Sequence, residues 1–520
     1  MNLRIGLTAS KPGWQILLKQ EGVSYEIISC FSDIKYSDLS ALIANGFNSL
    51  KQRDNILGYV KSGGAVLVDS EMSSELLNVN MKKFRIKFLI PEKNSIYSAV
   101  GLVDIYQNGF IPKDGDITSL DNGLKIKIKE IGKGIVLILP FNVNKAILDI
   151  STSRRKFCFK RKELPSERVS KISKGEIRRI VRISLEYLHH IQGLPFVQLW
   201  YYPKGNKNIF SFRVDTDFCK QKDTKALYKI CKKNEIPGSW FVETKTSMQW
   251  LADFKNMQNQ EIGLHCYRHR VFKDYDNNRK NLEKGQKILE KYGIKPIGFV
   301  SPYGEWNYNL GKAIEDANFQ YSSEFSLSYD DLPFFPYIEN RFSKVLQIPI
   351  HPISIGRLRR AHCTDEEMWQ YYKNVIVQKI KLCEPIIFYH HPSHKKFDIF
   401  DRIFKFINEH SIKKFDFAGL YNWWKKRNKV KFNAILENEK IVIESNNFSN
   451  DFWLRISSAK FGNSITQISP EIDLRNLEWH KKDEIISLPQ DINHIRRFSW
   501  RDFLYDLEFI RGKLHQWKNQ

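Results

Sequence analysis

The sequence predicts an α/β protein built from several units, and three observations carry that prediction. Strand-length apolar runs alternate with helix-length amphipathic segments through residues 1–150 and again through 205–428. After about residue 429 the texture changes to short, alternating β segments. A chain of 520 residues also exceeds what one hydrophobic core ordinarily spans. The expected division is an α/β domain at 1–150, a basic helical connector at 151–204, a second α/β region at 205–428, and a small β-rich domain with a terminal helix at 429–520.

In the first region Leu3-Arg4-Ile5-Gly6-Leu7 reads as a strand, residues 14–20 as a helix stopped by Gly22, and residues 24–28 as a second strand. A helix over 55–61 closes at Gly63-Gly64 before the apolar strand Ala65-Val66-Leu67-Val68. This alternation argues a parallel, doubly wound sheet. Gly63-Gly64 ends a helix and precedes a strand, the reverse of a phosphate-binding loop. In the connector, Arg154-Arg155-Lys156 and Lys160-Arg161-Lys162 read as a solvated basic face, with peripheral contact to an anionic surface as the functional alternative. The helix expected over 174–190 keeps Ile177, Ile180, Val181, Leu185 and Leu188 on one side, while Arg178, Arg179 and Arg182 face elsewhere.

The third region alternates helices at 225–233, 279–292 and 310–317 with strands at 238–242, 297–300 and 384–389. The fourth shows strands at 431–436, 440–444 and 452–456 with turns at Asn438-Glu439 and Asn446-Asn447, a small antiparallel unit whose Phe452 and Trp453 are read as core. Residues 500–517 predict an amphipathic helix with Phe503, Leu507, Ile510 and Leu514 on one face, expected to pack on the protein.

Composition narrows the partners. Lys and Arg number 82 against 58 Asp and Glu, a formal net charge of +24, which admits nucleic acid, an anionic surface or acidic glycans. No nucleic-acid module accompanies it, so specific nucleic-acid binding is not expected. The longest apolar stretch, residues 134–141, is strand-sized, and no transmembrane segment is expected. Residues 1–7 lack an apolar signal core, and the seven cysteines are scattered without a Cys-X2-Cys pair. A reducing, cytoplasmic setting without a disulfide framework is the expectation.

Three segments carry chemistry: Phe212-Arg213-Val214-Asp215-Thr216-Asp217, Gly263-Leu264-His265-Cys266-Tyr267-Arg268-His269, and Ser301-Pro302-Tyr303-Gly304. If residues 209–212 form a strand, Arg213, Asp215 and Asp217 leave one face. His265 and His269, four apart, would chelate one ion from one side of a helical turn. One carboxylate and two imidazoles leave open positions on zinc or a similar divalent ion, and the second carboxylate is free to take a proton from water. Cys266 is expected to point away. Each motif alone is common; their joint order with the Pro-Tyr-Gly turn is not.

Together with Ile386-Ile387-Phe388-Tyr389-His390-His391-Pro392, these segments resemble the successive motifs of the polysaccharide deacetylase family, also called the NodB-homology domain or carbohydrate esterase family four, over roughly residues 205–425. The resemblance implies a distorted (β/α) barrel of the NodB type and metal-assisted removal of an N-acetyl or O-acetyl group from an acetylated carbohydrate. It implies Asp217, His265 and His269 as metal ligands, Asp215 as general base, the Tyr303 backbone N–H as oxyanion donor, and a histidine of the His390-His391 pair as general acid, the His-Pro step favouring His391. Thr216 separates aspartates that the family usually writes side by side, a form that a subset shares. Val300 stands where the family carries an arginine that orients the base; Arg213 is the candidate replacement, beside an ordinary ion pair. Glu324, Asp330 and Asp331 compete for the family's fourth motif. The first region resembles glutamine-amidotransferase-like or flavodoxin-like domains without the nucleophile elbow, which implies a scaffold or recognition role. The departures keep two further readings open: a glycan-binding or scaffold protein that has lost the chemistry, and a hydrolase of another carbon–nitrogen bond.

Overall fold

The computed structural model describes residues 1–28, 38–77, 81–91, 95–112, 117–121, 124–481, 495 and 498–518. The N-terminal sheet contains β1 (Ile5–Leu7), β2 (Tyr25–Ile27), β3 (Ala41–Ala44), β4 (Ala65–Val68), β5 (Met81–Pro91), β6 (Val103–Pro112), β7 (Ile117–Asp121), β8 (Leu124–Ile131) and β9 (Gly134–Ile138), in the spatial order β2-β1-β3-β4-β9-β8-β7-β5-β6. From β2 to β9 the neighbours are parallel, as the alternation predicts. From β9 to β6 they are antiparallel, an extension that the expected doubly wound sheet lacks. The period-two run Arg85-Ile86-Lys87-Phe88 is its signature, with Arg85 and Lys87 exposed and Ile86 buried. Helices α1 (Pro12–Glu21), α2 (Leu50–Lys61), α3 (Ser70–Leu77) and α4 (Val143–Leu148) accompany this sheet. Gly22 ends α1 at φ 69°, a left-handed cap that only glycine adopts without strain.

The connector folds as the antiparallel hairpin β10 (Thr152–Lys156) and β11 (Ser166–Ser170), then α5 (Lys174–His190) and β12 (Phe196–Leu199). Arg154 and Arg155 do not lie on the solvated face that the sequence suggests, whereas Lys160 and Lys162 are exposed as expected. Arg155 lies 3.0 Å from Asp104, and Arg154 lies 2.9 Å from Asp506. Arg178 is fully buried and meets three carboxylates, Glu21 at 2.6 Å, Asp331 at 2.8 Å and Glu384 at 2.6 Å. The reason is that α5 runs between the N-terminal unit and the barrel, so its polar side also faces protein. A charge placed there must be paired, and Arg178 thereby fixes α1, α5 and the barrel in one register.

The barrel contains β13 (Ile209–Asp215), β14 (Gly238–Glu243), β15 (Glu261–Cys266), β16 (Gly298–Phe299), β17 (Tyr321–Ser322), the hairpin β18 (Tyr337–Ile338) and β19 (Arg341–Phe342), β20 (Leu346–Gln347), β21 (Ile386–His390) and β22 (Lys413–Lys414). Apart from the hairpin, these strands form one all-parallel, curled half-barrel sheet in the order β20-β17-β16-β15-β14-β13-β21, with β22 beside the start of β13. The intervening helices are α6 (Gln221–Lys233), α7 (Ala252–Lys255), α8 (Tyr275–Lys291), α9 (Tyr308–Asp316), α10 (Ile355–Arg360), α11 (Asp365–Leu382), α12 (Phe397–Glu409) and α13 (Phe417–Arg427). In α12, Ile399, Phe400, Ile403, Phe404 and Ile407 keep helical spacing and are all buried. Each such side chain contributes about 1.5–3 kcal/mol by leaving water. This packing holds the barrel wall rigid behind β21.

Beyond the barrel, β23 (Phe432–Glu437), β24 (Lys440–Ser445), β25 (Trp453–Ser458), β26 (Gly462–Gln467) and β27 (Glu471–Asp473) are antiparallel, as the sequence predicts. They form two small sheets, β23-β24-β27 and β12-β25-β26, the second borrowing its strand from the connector. Phe452 is buried and stacks on Trp423 at 5.5 Å. The terminal helix α14 (Trp500–Lys518) corrects an expectation: Phe503, Leu507 and Ile510 are exposed, so among the described residues these apolar side chains are not packed into the protein. The Leu514 side chain lies outside the described residues. Among them, no helix is long and apolar enough to cross a membrane.

Candidate metal centre and catalytic cleft

Strand β13 delivers Arg213 and Asp215 from one face, two residues apart, and Asp217 follows just past the strand end. His265 lies within β15, whereas His269 sits in the loop after it. The pair therefore converges from a strand end and a loop, not from one side of a helical turn as the spacing suggests. His265 Nε2 is 3.6 Å from Asp217 Oδ1, and His269 Nε2 is 3.7 Å from Asp217 Oδ2. One ligand atom from each of Asp217, His265 and His269 falls within 4.8 Å of the others. Ligands at about 2.0–2.1 Å from a tetrahedral ion stand about 3.3 Å apart, so small side-chain shifts complete the set.

Two further observations fit a cation. Asp217 Oδ1 and His265 Nε2 are buried without a hydrogen-bond partner. His265 Nδ1 lies 2.9 Å from the Val300 carbonyl, which has no proton to give. Nδ1 therefore carries the proton, and the Nε2 lone pair faces the cluster. Burial works to raise the Asp217 carboxyl, yet His391, His265 and His269 around it bring it down to about 2. Burial, and then His265, push the His269 ring down to about 4. An ionised carboxylate and a neutral imidazole at neutral pH are the forms that ligate a metal.

Beside this centre, Arg213 grips Asp215 with one edge of its guanidinium, Nε donating to Oδ1 at 2.7 Å and Nη2 to Oδ2 at 2.7 Å, while Nη1 donates to the Ser323 carbonyl at 2.6 Å. Both residues are buried. Val300 offers the centre only its carbonyl. Of the three acidic residues left open by the sequence, Asp330 is taken by His351 at 3.0 Å and Lys379 at 2.8 Å, and Asp331 by Arg178. Glu324 alone lies beside the centre, 3.3 Å from the Ser301 amide, its carboxyl pushed up to about 7 foremost by burial.

Tyr303 has φ 57° inside the Pro302–Gly304 turn, a left-handed conformation that a non-glycine residue adopts at a cost, and its ring lies 4.7 Å from that of His269. His391 Nε2 is 3.4 Å from Asp217 Oδ1 and 4.0 Å from Asp215 Oδ2, beside both carboxylates. His390 does not join it: this ring is fully buried against Phe400, centroids 4.4 Å apart. Cys266 is buried next in line to His265 and outside the ligand cluster.

The cleft, about 200 Å³, is also lined by residues that the sequence reading did not single out. His394 stands with its ring 4.8 Å from His391, and burial, then His391, hold it near 3. The His391-Pro392-Ser393-His394 spacing is a usable signal for it. Glu167 arrives from the connector hairpin and pairs with Arg357 of α10 at 2.5 Å. Nothing local marks Glu167 as a site residue.

Residues 202–322 match the model of the polysaccharide deacetylase family. No curated protein matches the chain. Among solved structures, the chain is similar to a putative polysaccharide deacetylase from Mycobacterium smegmatis, with 16% identity over 44% of this chain and 94% of that one, TM-score 0.39. A probable polysaccharide deacetylase from Pseudomonas aeruginosa PAO1 gives 15% identity over 44% and 93%, TM-score 0.37. A CE4 family pseudoenzyme from Bacillus anthracis gives 16% identity over 41% and 65%, TM-score 0.31.

Proposed function

With a polysaccharide deacetylase domain at residues 202–322 as premise, we propose that the cleft hydrolyses an acetyl group, N-acetyl first, from a sugar or glycan precursor. The observation that carries the reading is the meeting of Asp217, His265 and His269 with a second carboxylate, Asp215, held by Arg213. Asp217, His265 and His269 would hold a divalent ion, zinc being the first choice for two imidazoles and a carboxylate, and such an ion would supply Lewis acidity to the acyl carbonyl and to water. Asp215 accepts the proton of the attacking water as the oxygen–carbon bond forms. The Tyr303 backbone N–H donates to the oxygen that gains charge. His391 gives a proton to the nitrogen as the carbon–nitrogen bond breaks, so acetate and a free amine leave. Burial keeps Asp215 and Arg213 locked together, which supports an active site over a scaffold that has lost its chemistry.

The test is acetate release from N-acetylated and O-acetylated oligosaccharides by protein stripped with a chelator and reloaded with zinc. Release by the reloaded protein alone is the expected result; stoichiometric zinc with no release across the panel would overturn the reading. The two neighbouring histidines should separate in the same assay. His391→Asn is expected to lower the rate by about 10²–10⁴, the usual worth of a general acid. His390→Phe replaces one buried ring by another and should leave the rate near that of the parent.

A further inference from the structure

Helix α14 docks with its polar side chains inward. Arg501 meets Glu163 at 2.5 Å and donates to the carbonyls of Arg360 at 2.9 Å and Leu164 at 3.2 Å. Asp502 accepts from Ser166 Oγ at 2.7 Å, and Asp506 lies 2.9 Å from Arg154 and 3.0 Å from Arg168. The Tyr505 ring sits 5.1 Å from the Arg360 guanidinium. The apolar side chains point the other way. Trp500 is 70% exposed, Phe503 43%, Leu504 54%, Leu507 40% and Ile510 49%, and Phe498 just before the helix is 65% exposed. Positions 500, 503, 504 and 507 follow the spacing of one helical stripe. Scattered surface leucines need no account, but a continuous stripe held outward by ion pairs on its reverse marks a contact surface.

Composition and charge select the occupant. Phe498, Trp500 and Phe503 touch one another, with centroids 5.2, 5.8 and 6.2 Å apart, and form an aromatic head to an aliphatic stripe. Aromatic rings on a half-wet helix suit the boundary between lipid headgroups and acyl chains. The segments that grip Arg501 also carry exposed cations: Lys160 and Lys162 precede Glu163, and Arg359 precedes Arg360. Arg511 adds another on the helix itself. Two copies meeting across the stripe would bring these cations together, whereas an anionic bilayer would neutralise them.

We propose that α14 is a peripheral anchor on an anionic lipid bilayer. Its stripe enters the headgroup layer, and the exposed cations of Arg511 and of the segments docked against the helix meet the lipid charges. Because Arg360 touches α14 while Gly356, Arg357 and Arg360 line the catalytic cleft, the same contact brings the cleft to the membrane surface. The anchor stands whether or not the cleft removes acetyl groups.

The test is cosedimentation of the full chain with vesicles of phosphatidylcholine alone and of phosphatidylcholine mixed with phosphatidylserine, at low and high salt. Binding to the mixed vesicles that weakens with salt is expected. The double change Phe503→Gln with Leu507→Gln, at exposed positions that leave the fold intact, should lower the bound fraction by about tenfold or more. The proposal is overturned if the parent protein ignores mixed vesicles, if the double variant binds them as well as the parent, or if the parent is a dimer that the double variant dissolves, which would assign the stripe to a second copy.

Discussion

Asp217→Asn or His265→Ala is expected to abolish stoichiometric uptake of a divalent ion and to lower hydrolysis by about 10³-fold or more. The magnitude follows from what the ion contributes: several kcal/mol of stabilisation of developing charge, at 1.36 kcal/mol per tenfold in rate. The two substitutions act differently on the protein. Asp217 is surrounded by three imidazoles that bring its carboxyl down to about 2, so a neutral amide in its place removes the anionic member of the proposed ligand set beside His265 and His269. His265 is oriented through Nδ1 by the Val300 carbonyl, and its loss removes a ligand and leaves that buried carbonyl without its donor. Metal analysis of the purified variants, set beside acetate release, checks both. A variant that kept one equivalent of metal at unchanged affinity would place the binding site elsewhere.

The clustering of Asp217, His265 and His269, the ligands proposed above, is legible in the sequence because each comes from a short motif beside a strand end, where local pattern and chemistry coincide. Arg213 and Asp215 are legible for the same reason, since a separation of two residues on a strand puts them on one face. The geometry of His265 and His269 is not, because a four-residue spacing is equally compatible with a strand running into a loop. Glu167 pairs with Arg357 across 190 residues, and tertiary packing alone decides such a meeting. Arg178 shows how the amphipathic pattern misleads: it assigns one face to water, and α5 has protein on both sides. α14 errs in the opposite sense, its ion pairs inward and its apolar stripe outward. Periodicity says which residues share a face and leaves open what that face meets.

Arg213→Ala should separate orientation of the base from metal binding. Its guanidinium makes two parallel contacts to Asp215 and a third to the Ser323 carbonyl, all in a buried setting where Arg213 is 1% exposed. Removing it leaves Asp215 as a buried, unpaired carboxylate, which costs about 3–5 kcal/mol of stability and lowers the melting temperature. It also frees the carboxylate to rotate. A misplacement of about 1 Å at a reacting group costs about 10²-fold in rate, so the expected result is a loss of that order with metal uptake retained. Arg213→Lys keeps the charge and loses the fork, because an ammonium is a point donor that cannot bridge both carboxylate oxygens. It should recover most of the stability and only part of the rate. A purely structural role predicts the reverse coupling, in which rate returns in full once the lysine variant is folded. If Arg213→Ala folds, holds metal and turns over like the parent, Asp215 is oriented by something other than this guanidinium, and the place left by Val300 is filled by another group.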